Sequence, residues 1–367
     1  MSWRDWADAE GAAIRDAGRW REPRELDAAG PEGKLVPEGR PVVSFASNDY
    51  LGLTQHPKVV AAAHAALDRW GAGSGSARLI VGSRPVHADL EAALADWKRT
   101  ERAVLFPTGF ATNLGVLTTF GAPGVLICSD ELNHASIIDG CRLSRARVEV
   151  YRHRDLDHVD HLLTTIPAER AVVVTDTAFS MDGDLADVDA LAEVCARRGA
   201  LLVLDEAHAV LGPHPDLTGR DALRIGTLSK TVGALGGFVA GPAHLTELIV
   251  NRARSYIFTT ALTPADTAAA LAAVGVIRSD EGRTLTTRLR VNVGRLRPGH
   301  PSPIVPVVFG DEARTLSAAA ALLDQGMLVP AIRPPTVPPG TSRLRVALSA
   351  AHAPSQVDAL AAAIAGL

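Results

Sequence analysis

The sequence has few cysteines, no long apolar run and no dense cluster of basic residues, and each absence excludes a class of protein. Its three cysteines, Cys128, Cys141 and Cys195, lack CxxC spacing, which favours reduced thiols over a disulfide framework or a zinc site. The longest apolar runs, such as residues 268–277, are too short to span a membrane. No run of Lys or Arg exceeds a few residues and the net charge is −4, which argues against a nucleic-acid-binding surface.

The N-terminal stretch has none of the apolar character of a secretory signal peptide, because Asp5 and Asp8 interrupt it. We therefore expect a soluble, cytoplasmic protein that binds neither nucleic acid nor membrane. The chain has 367 residues, 47% of them hydrophobic, so it can bury a large core and form two or more domains.

Short apolar strands alternate with alanine-rich helices from residue 42 onward, after an Arg- and Glu-rich helix and a connector with Gly and Pro. Strands separated by helices predict a mostly parallel sheet that is covered on both faces. After Arg278 the order changes and predicts a smaller α+β domain. The sequence thus predicts an α/β protein with an N-terminal helix and connector (1–44), a large α/β domain (45–277) and a small C-terminal domain (278–367). Its main predicted strands are 42–45, 102–106, 125–128, 148–151, 172–175 and 201–204.

Two polar residues follow apolar runs in a way that indicates a cofactor site. Residues 201–204 predict a buried strand that ends at Asp205, and a second apolar run, 223–225, leads to Lys230. Sheets of this class bind ligands at the carboxyl ends of their strands, and a buried carboxylate needs a cationic partner. An Asp for a pyridinium nitrogen and a Lys for a Schiff base are the groups that hold pyridoxal phosphate (PLP). The alternative is that Asp205 caps a helix and Lys230 is a solvated loop residue.

Other predicted strands also end in candidate site residues. Gly109 and Phe110 open a helix directly after a strand, where free backbone N–H groups bind phosphate and Gly permits close approach. An ordinary strand–helix turn is the alternative there. His134 follows the next strand, and its imidazole can stack on a flat cofactor ring. Ser180 follows a further strand in the same way, so these side chains converge on one edge of the sheet.

Two arginines alternate along the last predicted strand. Arg343 and Arg345 are two residues apart, so both side chains point to one face of the strand. A fixed guanidinium binds a carboxylate in a bidentate manner, as a site for an amino acid requires. The alternative interpretation, that the side chain lies at a surface strand edge, applies better to one of these two arginines than to both.

Two motif-like segments do not indicate a ligand. Residues 71–76 are rich in Gly, but they follow a helix and lack GxGxxG spacing, so we predict a loop on the substrate or subunit side and no dinucleotide site. Residues 153–161 are dense in His and Asp. Because His158 and His161 lie three apart at a helix start that Asp155 or Asp157 would cap, we expect no metal site.

Together these residues resemble the α-oxoamine synthase family, PLP enzymes with the aspartate-aminotransferase fold (fold type I), over about residues 45–353. Residues 47–53 resemble the family's entry motif, and 227–230 with Gly236 and Gly237 resemble its Schiff-base segment. Residues 278–282 and 331–341 are most similar to the biotin-pathway branch. The resemblance implies that a homodimer condenses L-alanine with pimeloyl-CoA or pimeloyl-acyl-carrier protein and releases CO2 and the free thiol.

The resemblance also implies a role for each matching residue. Lys230 would bind PLP as a Schiff base and later remove the Cα proton, Asp205 would keep the pyridine nitrogen protonated, and His208 would hydrogen-bond the phenolic oxygen. His134 would stack on the ring, and Ser180 would lie near the cofactor oxygen. The remaining implied contacts are Gly109, Phe110 and Thr227 to the phosphate, Thr259 or Thr260 to a neighbouring subunit's phosphate, Arg345 with Asn48 to the alanine carboxylate, and Arg19 or Arg21 to the distal carboxylate of a pimeloyl chain.

Three alternatives stay open. A sister synthase would use glycine with acetyl-CoA or succinyl-CoA, as in 2-amino-3-ketobutyrate CoA ligase or 5-aminolevulinate synthase. An aminotransferase or aldolase of the same fold would not couple CO2 release to acyl consumption. A non-catalytic PLP-binding scaffold would bind the cofactor without turnover, and the presence of Lys230, Asp205 and Arg345 argues against it.

Overall fold

The chain folds into thirteen α-helices and fourteen β-strands, arranged in three sheets. The computed structural model describes all of residues 1–367. In chain order the elements are α1 (Trp3–Asp16), β1 (Glu25–Ala28), β2 (Glu32–Val36), β3 (Arg40–Ser44), α2 (Pro57–Trp70), α3 (Pro85–Lys98), β4 (Arg102–Phe106), α4 (Gly109–Phe120), β5 (Val125–Asp130), α5 (Ala135–Leu143), β6 (Arg147–Tyr151), α6 (Leu156–Thr165), β7 (Arg170–Asp176), α7 (Val188–Arg198), β8 (Leu201–Asp205), β9 (Ala222–Thr227), β10 (Gly237–Gly241), α8 (Ala243–Arg252), α9 (Arg254–Ile257), α10 (Pro264–Ile277), α11 (Asp280–Leu296), β11 (Ile304–Gly310), α12 (Glu312–Asp324), β12 (Met327–Leu328), β13 (Ala331–Ile332), β14 (Ser342–Ala347) and α13 (Pro354–Ala365).

A seven-stranded sheet with the order β4-β10-β9-β8-β7-β5-β6 forms the centre of the molecule. The five strands from β9 to β6 are mutually parallel, and β10 is antiparallel to both of its neighbours. The predicted mostly parallel sheet is therefore confirmed. Strand β10 was not predicted, because it is short, begins and ends with Gly and carries only three side chains between them.

Apolar cores lie on both faces of this sheet, as its sequence pattern requires. Along β5, Val125 and Ile127 pack into one core with α4, α5 and α8, whereas Leu126 and Cys128 pack into another with α6 and α7. A strand that is buried on both faces reads as a continuous apolar run. Since such a strand exposes only its ends, polar residues of this sheet are concentrated at its edges.

The N-terminal region differs from the prediction in one respect. The expected connector forms β1 and β2, and β3 pairs antiparallel with β2 in a separate four-stranded sheet instead of joining the central sheet. The strand at 42–45 was therefore assigned to the wrong sheet. The reason is that β1 and β2 are short and polar, so no apolar alternation indicated them, and β3 pairs with β12 from the far end of the chain.

The C-terminal region has the predicted order of a long helix, strand, helix, Pro-rich loop, strand and helix. Strands β11, β14 and β13 form a three-stranded antiparallel sheet. The chain has no helix whose length and apolar character would let it cross a lipid bilayer. Its three cysteines are free and buried. The domain boundaries at 44/45 and 277/278 stay a prediction.

Candidate active site

The carboxyl edge of the central sheet gathers most of the predicted site residues. Strands β8 and β9 end at Asp205 and Thr227, and β4 leads within three residues to Gly109. The loops after β5 and β7 carry His134 and Ser180. Parallel strands end at the same edge, so residues far apart in sequence come together there.

Asp205 is a buried carboxylate without a cationic partner in ion-pair contact. Its side chain is nearly inaccessible to solvent, and none of the protein's ion pairs includes it. Its oxygens accept hydrogen bonds from Asn113 Nδ2 at 2.7 Å and from the Ala207 N–H at 2.9 Å. Both donors are neutral, so no cation contacts this carboxylate in its buried site. This carboxylate therefore fits a ligand that brings its own cation, such as a protonated pyridine nitrogen.

Lys230 points into the same site instead of into solvent. Its Nζ lies 2.8 Å from His208 Nε2, and burial lowers its pKa, an effect that the charges of Asp205 and Asp176 oppose. A Lys with a lowered pKa supplies the neutral amine that carbonyl chemistry needs. The alternative of a solvated loop Lys does not match this position.

His208 is the middle member of a hydrogen-bond chain. The Tyr50 hydroxyl donates its proton to Asn48 Oδ1 at 2.9 Å. Its oxygen also lies 2.7 Å from His208 Nδ1, where it accepts a hydrogen bond from the ring. His208 is then neutral with its proton on Nδ1, and Nε2 accepts from Lys230. Burial and the nearby positive charges of Lys230 and Arg345 keep the pKa of His208 well below its usual range. Burial also raises the pKa of Tyr50 to about 12.

Asp176 is a site residue that the sequence analysis missed. It ends β7 opposite Asp205 in the strand register, and its Oδ2 accepts from the His134 N–H at 2.9 Å. Burial and the neighbouring charge of Asp205 raise its pKa well above the usual range. The signal was available, because Asp176 follows an apolar strand in the same way as Asp205 does.

His134 begins α5, and its Nδ1 lies 2.7 Å from Ser136 Oγ. Burial lowers the pKa of His134, although the Asp205 charge raises it in part. Its ring meets the Phe110 ring edge-on at 6.5 Å between centroids. A neutral, fixed imidazole of this kind is suited to stacking on a cofactor ring.

The start of α4 forms a cradle of donors together with β9. Thr108 caps the helix through Ala111, and the first N–H groups of a helix have no partner inside it. A Cβ built on Gly109 would lie 3.3 Å from Thr227 Cβ, so Thr227 adjoins this helix start. Thr227 Oγ1 is 2.8 Å from Ser229 Oγ, a hydroxyl that the sequence analysis missed. Backbone amides and hydroxyls together fit a phosphate.

Arg345 is held beside the site on strand β14. Its Nη2 donates to Asn48 Oδ1 at 3.2 Å, and its Nε donates to the Ser180 carbonyl. Ser180 therefore contacts Arg345 through its backbone. Arg343 is also buried but forms an ion pair with Asp182, so Arg345 is the arginine of the pair that faces Asn48.

Four predicted residues lie outside this cluster in the single chain. Arg19 forms an ion pair with Glu312 at 2.9 Å, and Arg21 is exposed after α1. Thr260 pairs with Ala77 through an isolated β-bridge, next to Thr259. Their implied contacts to an acyl chain and to a partner subunit's phosphate stay predictions.

A buried ion-pair network supports the turn that carries Asp205 and His208. Glu206 accepts from Lys98 Nζ and from Arg224, both at 2.7 Å. Burial would raise the pKa of Glu206, but these two cations hold it below its usual range. A charged residue directly after Asp205 thus fixes the backbone on which the site is built.

Comparison with known proteins agrees with this geometry. The chain matches the aminotransferase class I and II family over residues 40–364. It is 49% identical to 8-amino-7-oxononanoate synthase of Anaeromyxobacter dehalogenans (strain 2CP-1 / ATCC BAA-258), covering 99% of this chain and 95% of that protein. It is 46% identical to 8-amino-7-oxononanoate synthase of Methylobacterium sp. (strain 4-46), covering 92% and 93%.

A solved structure shares the fold as well. A serine palmitoyltransferase variant from S. paucimobilis with bound PLP superposes with a TM-score of 0.91 at 30% identity, covering 99% of this chain and 96% of that one. The predicted fold class and cofactor are thereby confirmed. The chain belongs to the aminotransferase class I and II family, and within it to the PLP-dependent α-oxoamine synthases that its motifs resemble.

Proposed function

We propose that this chain catalyses the decarboxylative condensation of L-alanine with a pimeloyl thioester, which gives 8-amino-7-oxononanoate, CO2 and a free thiol for biotin biosynthesis. The observation that carries the chemistry is the placement of Lys230, Asp205 and Arg345 around one buried site. The choice of substrates is supported by the names of relatives that match nearly the whole chain.

Four groups of this chain fit PLP. Lys230 would attach it, Asp205 would hold its pyridinium proton, and His134 would lie against its ring. The start of α4 with Thr227 would hold its phosphate. When bound, PLP supplies an electron sink that stabilises negative charge at the amino-acid Cα.

Lys230 is the base in this proposal. Burial lowers its pKa and so favours the neutral amine, the form that can take the Cα proton of alanine. The neutral His208 accepts a hydrogen bond from Lys230 and places its Nζ. Because the Tyr50–Asn48 pair fixes His208 in turn, the base has one defined position.

Arg345 orients the substrate. With Asn48 it would bind the alanine carboxylate, and the bond to be broken must lie perpendicular to the plane of the electron sink. Holding the carboxylate therefore selects which Cα bond breaks first. After the new carbon–carbon bond forms and the thiol leaves, the same carboxylate departs as CO2.

The substrate assignment is tested with purified protein loaded with PLP. L-alanine, glycine or L-serine is combined with pimeloyl, acetyl, succinyl or palmitoyl thioesters, and free thiol and product mass are followed. We expect 8-amino-7-oxononanoate from L-alanine with pimeloyl-CoA or pimeloyl-acyl-carrier protein. Faster turnover of glycine with acetyl-CoA or succinyl-CoA would assign the chain to a sister synthase. Binding of PLP without any turnover would indicate a scaffold.

We also propose a cytoplasmic homodimer whose interface includes an exposed apolar patch. The patch consists of residues 79–81 and Phe258, with Ile80 73% and Val81 70% exposed. A patch of this kind on a soluble enzyme indicates a protein interface. Thr259 and Thr260 follow Phe258 directly, so a partner seated on this patch would lie beside them.

Replacing Ile80 and Val81 together by Asp is expected to raise the dimer dissociation constant by about a hundredfold or more. Two charges would have to lose their hydration in the interface. Light scattering during size-exclusion chromatography measures the mass. Val308→Asp, at an exposed apolar position on β11, is the control and should leave the mass unchanged. An intact dimer in the double variant would place the interface elsewhere.

A further inference from the structure

His153 bridges two loops that carry site residues. Its Nδ1 lies 2.9 Å from Asp130 Oδ1, and its Nε2 lies 2.8 Å from Asp184 Oδ2. Its ring also packs edge-on against Phe179 at 4.3 Å between centroids. With an acid on each ring nitrogen, both nitrogens donate only when the imidazole is protonated. The segment 153–161, set aside as a metal site, therefore provides a structural bridge.

Asp130 connects this bridge to the stacking histidine. It ends β5 and accepts from the Leu132 N–H at 2.9 Å and the Arg154 N–H at 2.9 Å. The turn that it fixes leads directly to His134. Asp130 is buried, so it has little freedom to shift unless its partners shift too.

Asp184 connects the bridge to the arginine that faces the substrate. It closes the turn of residues 179–184, in which the Phe179 N–H donates to the Asp184 carbonyl at 3.0 Å. Within this turn the Ser180 carbonyl accepts from Arg345 Nε, and Asp182 forms an ion pair with Arg343. The position of the turn therefore sets the position of Arg345.

The charges around His153 favour its protonated form. Asp130 and Asp184 contact the ring, and Glu131 accepts from the His153 N–H. Two basic groups have the opposite effect on the protonated form: Arg154 Nη1 lies 3.3 Å from Asp184 Oδ2, and His300 lies on the other side of Gly183. Burial alone would lower the pKa of His153, but hydrogen bonds from its ring to the two Asp residues overcome this and raise it to about 9.

We propose that His153 is a positioning residue: its imidazolium joins the Asp130 and Asp184 loops and thereby aims Arg345 at the carboxylate of the amino-acid substrate. The identity of that substrate rests on the proposed function. The imidazolium does not touch substrate or cofactor, and it acts through the Ser180 carbonyl.

The test compares His153→Gln with wild type. The two N–H donors of a Gln amide share one nitrogen, whereas the imidazolium donates from two separate ring nitrogens, so Gln cannot join the two acids in the same way and we expect Arg345 to shift. We expect the Kd of L-alanine, measured by the change in visible absorbance without acyl donor, to rise by about ten- to a hundredfold. The KM of the pimeloyl thioester should stay within about twofold. His161→Gln, at an exposed residue of the same segment, is the matched control and should match wild type.

The pH dependence separates this role from a merely structural one. The bridge exists below the raised pKa of His153 and is lost as pH increases through about 9. The wild-type Kd of L-alanine should therefore rise more steeply above pH 9 than that of His153→Gln. Lys230 and the alanine amine titrate in both proteins, so the difference between the two profiles isolates His153.

Two further measurements keep the proposal falsifiable. Asp184→Asn keeps the size of the side chain but removes one of the two negative charges that favour the imidazolium, and it should weaken L-alanine binding in the same direction. In apoenzyme with labelled histidine, nuclear magnetic resonance measures the pH at which His153 is half protonated. In Asp184→Asn this titration midpoint should fall toward the ordinary pKa of a histidine. A lower melting temperature with an unchanged Kd of L-alanine in both variants would overturn the proposal. A wild-type enzyme that does not bind L-alanine would instead overturn the proposed function.

Discussion

Lys230→Ala is expected to abolish turnover, with a loss of at least about a thousandfold, because one substitution removes both the attachment point and the base. The variant should also lose the visible absorbance that arises from PLP attached to the protein. PLP itself is expected to remain bound at high concentration, since Asp205 and the start of α4 are intact. Absorbance spectra and thiol release measure the two losses separately.

Because the chain has few lysines, the site of PLP attachment can be assigned to a single residue. The chain has four, at positions 34, 58, 98 and 230. Lys58→Ala is the matched control, because Lys58 is exposed and pairs only with Glu281 at the surface. Borohydride reduction followed by peptide mapping should place the label on Lys230 alone. A label on Lys98, or retained absorbance and activity in Lys230→Ala, would refute the attachment site.

Asp205→Asn is expected to lower the rate by about a hundred- to a thousandfold while leaving the apoenzyme at least as stable as wild type. The neutral amide cannot keep a pyridinium proton in place. In the apoenzyme, however, it removes a buried carboxylate that has no ion-pair contact, so the unfolding free energy should stay level or rise by about 1 kcal/mol. Asn113 Oδ1 is buried without a partner, so a rotated Asn113 amide can accept from the new side chain.

Asp176→Asn is the matched control for this prediction. Burial and the charge of Asp205 raise the pKa of Asp176, which favours its neutral form; the substitution keeps the size of the side chain, and the amide oxygen can still accept from the His134 N–H. Activity should fall by less than about tenfold. Equal losses in the two variants would mean that Asp205 acts through packing and not through its charge. Unfolding in denaturant and steady-state rates are the measurements for both.

The sequence predicted the parts of the fold that depend on long apolar patterns. Strands β5, β7 and β8 are buried on both faces and read as continuous apolar runs, so their ends were predicted within two residues. Strands β1, β2 and β10 could not be predicted in this way. They are short, and tertiary pairing stabilises them more than their own composition does.

The site divides along similar lines. Residues that follow a strand, such as Asp205 and His134, were found because position in a parallel sheet predicts convergence. Asp176 was missed although it ends an apolar strand as Asp205 does, whereas Tyr50 was missed because it acts through a hydrogen bond to His208. Contacts of this kind join residues that are distant along the chain, and a single sequence contains no signal for them.

The order of strands in the central sheet has a consequence for how the enzyme matures. Strand β4 is made early in synthesis, yet its only neighbour in the sheet is β10, which emerges much later. Pairings between distant segments form slowly because a long loop must close first. Gly237, at the start of β10, lies against Gly109: a Cβ built on Gly237 would be 2.5 Å from the Gly109 nitrogen. Capture of the cofactor's phosphate therefore has to wait for β10, the last strand of this sheet in chain order, and the appearance of bound PLP during refolding should report completion of the whole sheet.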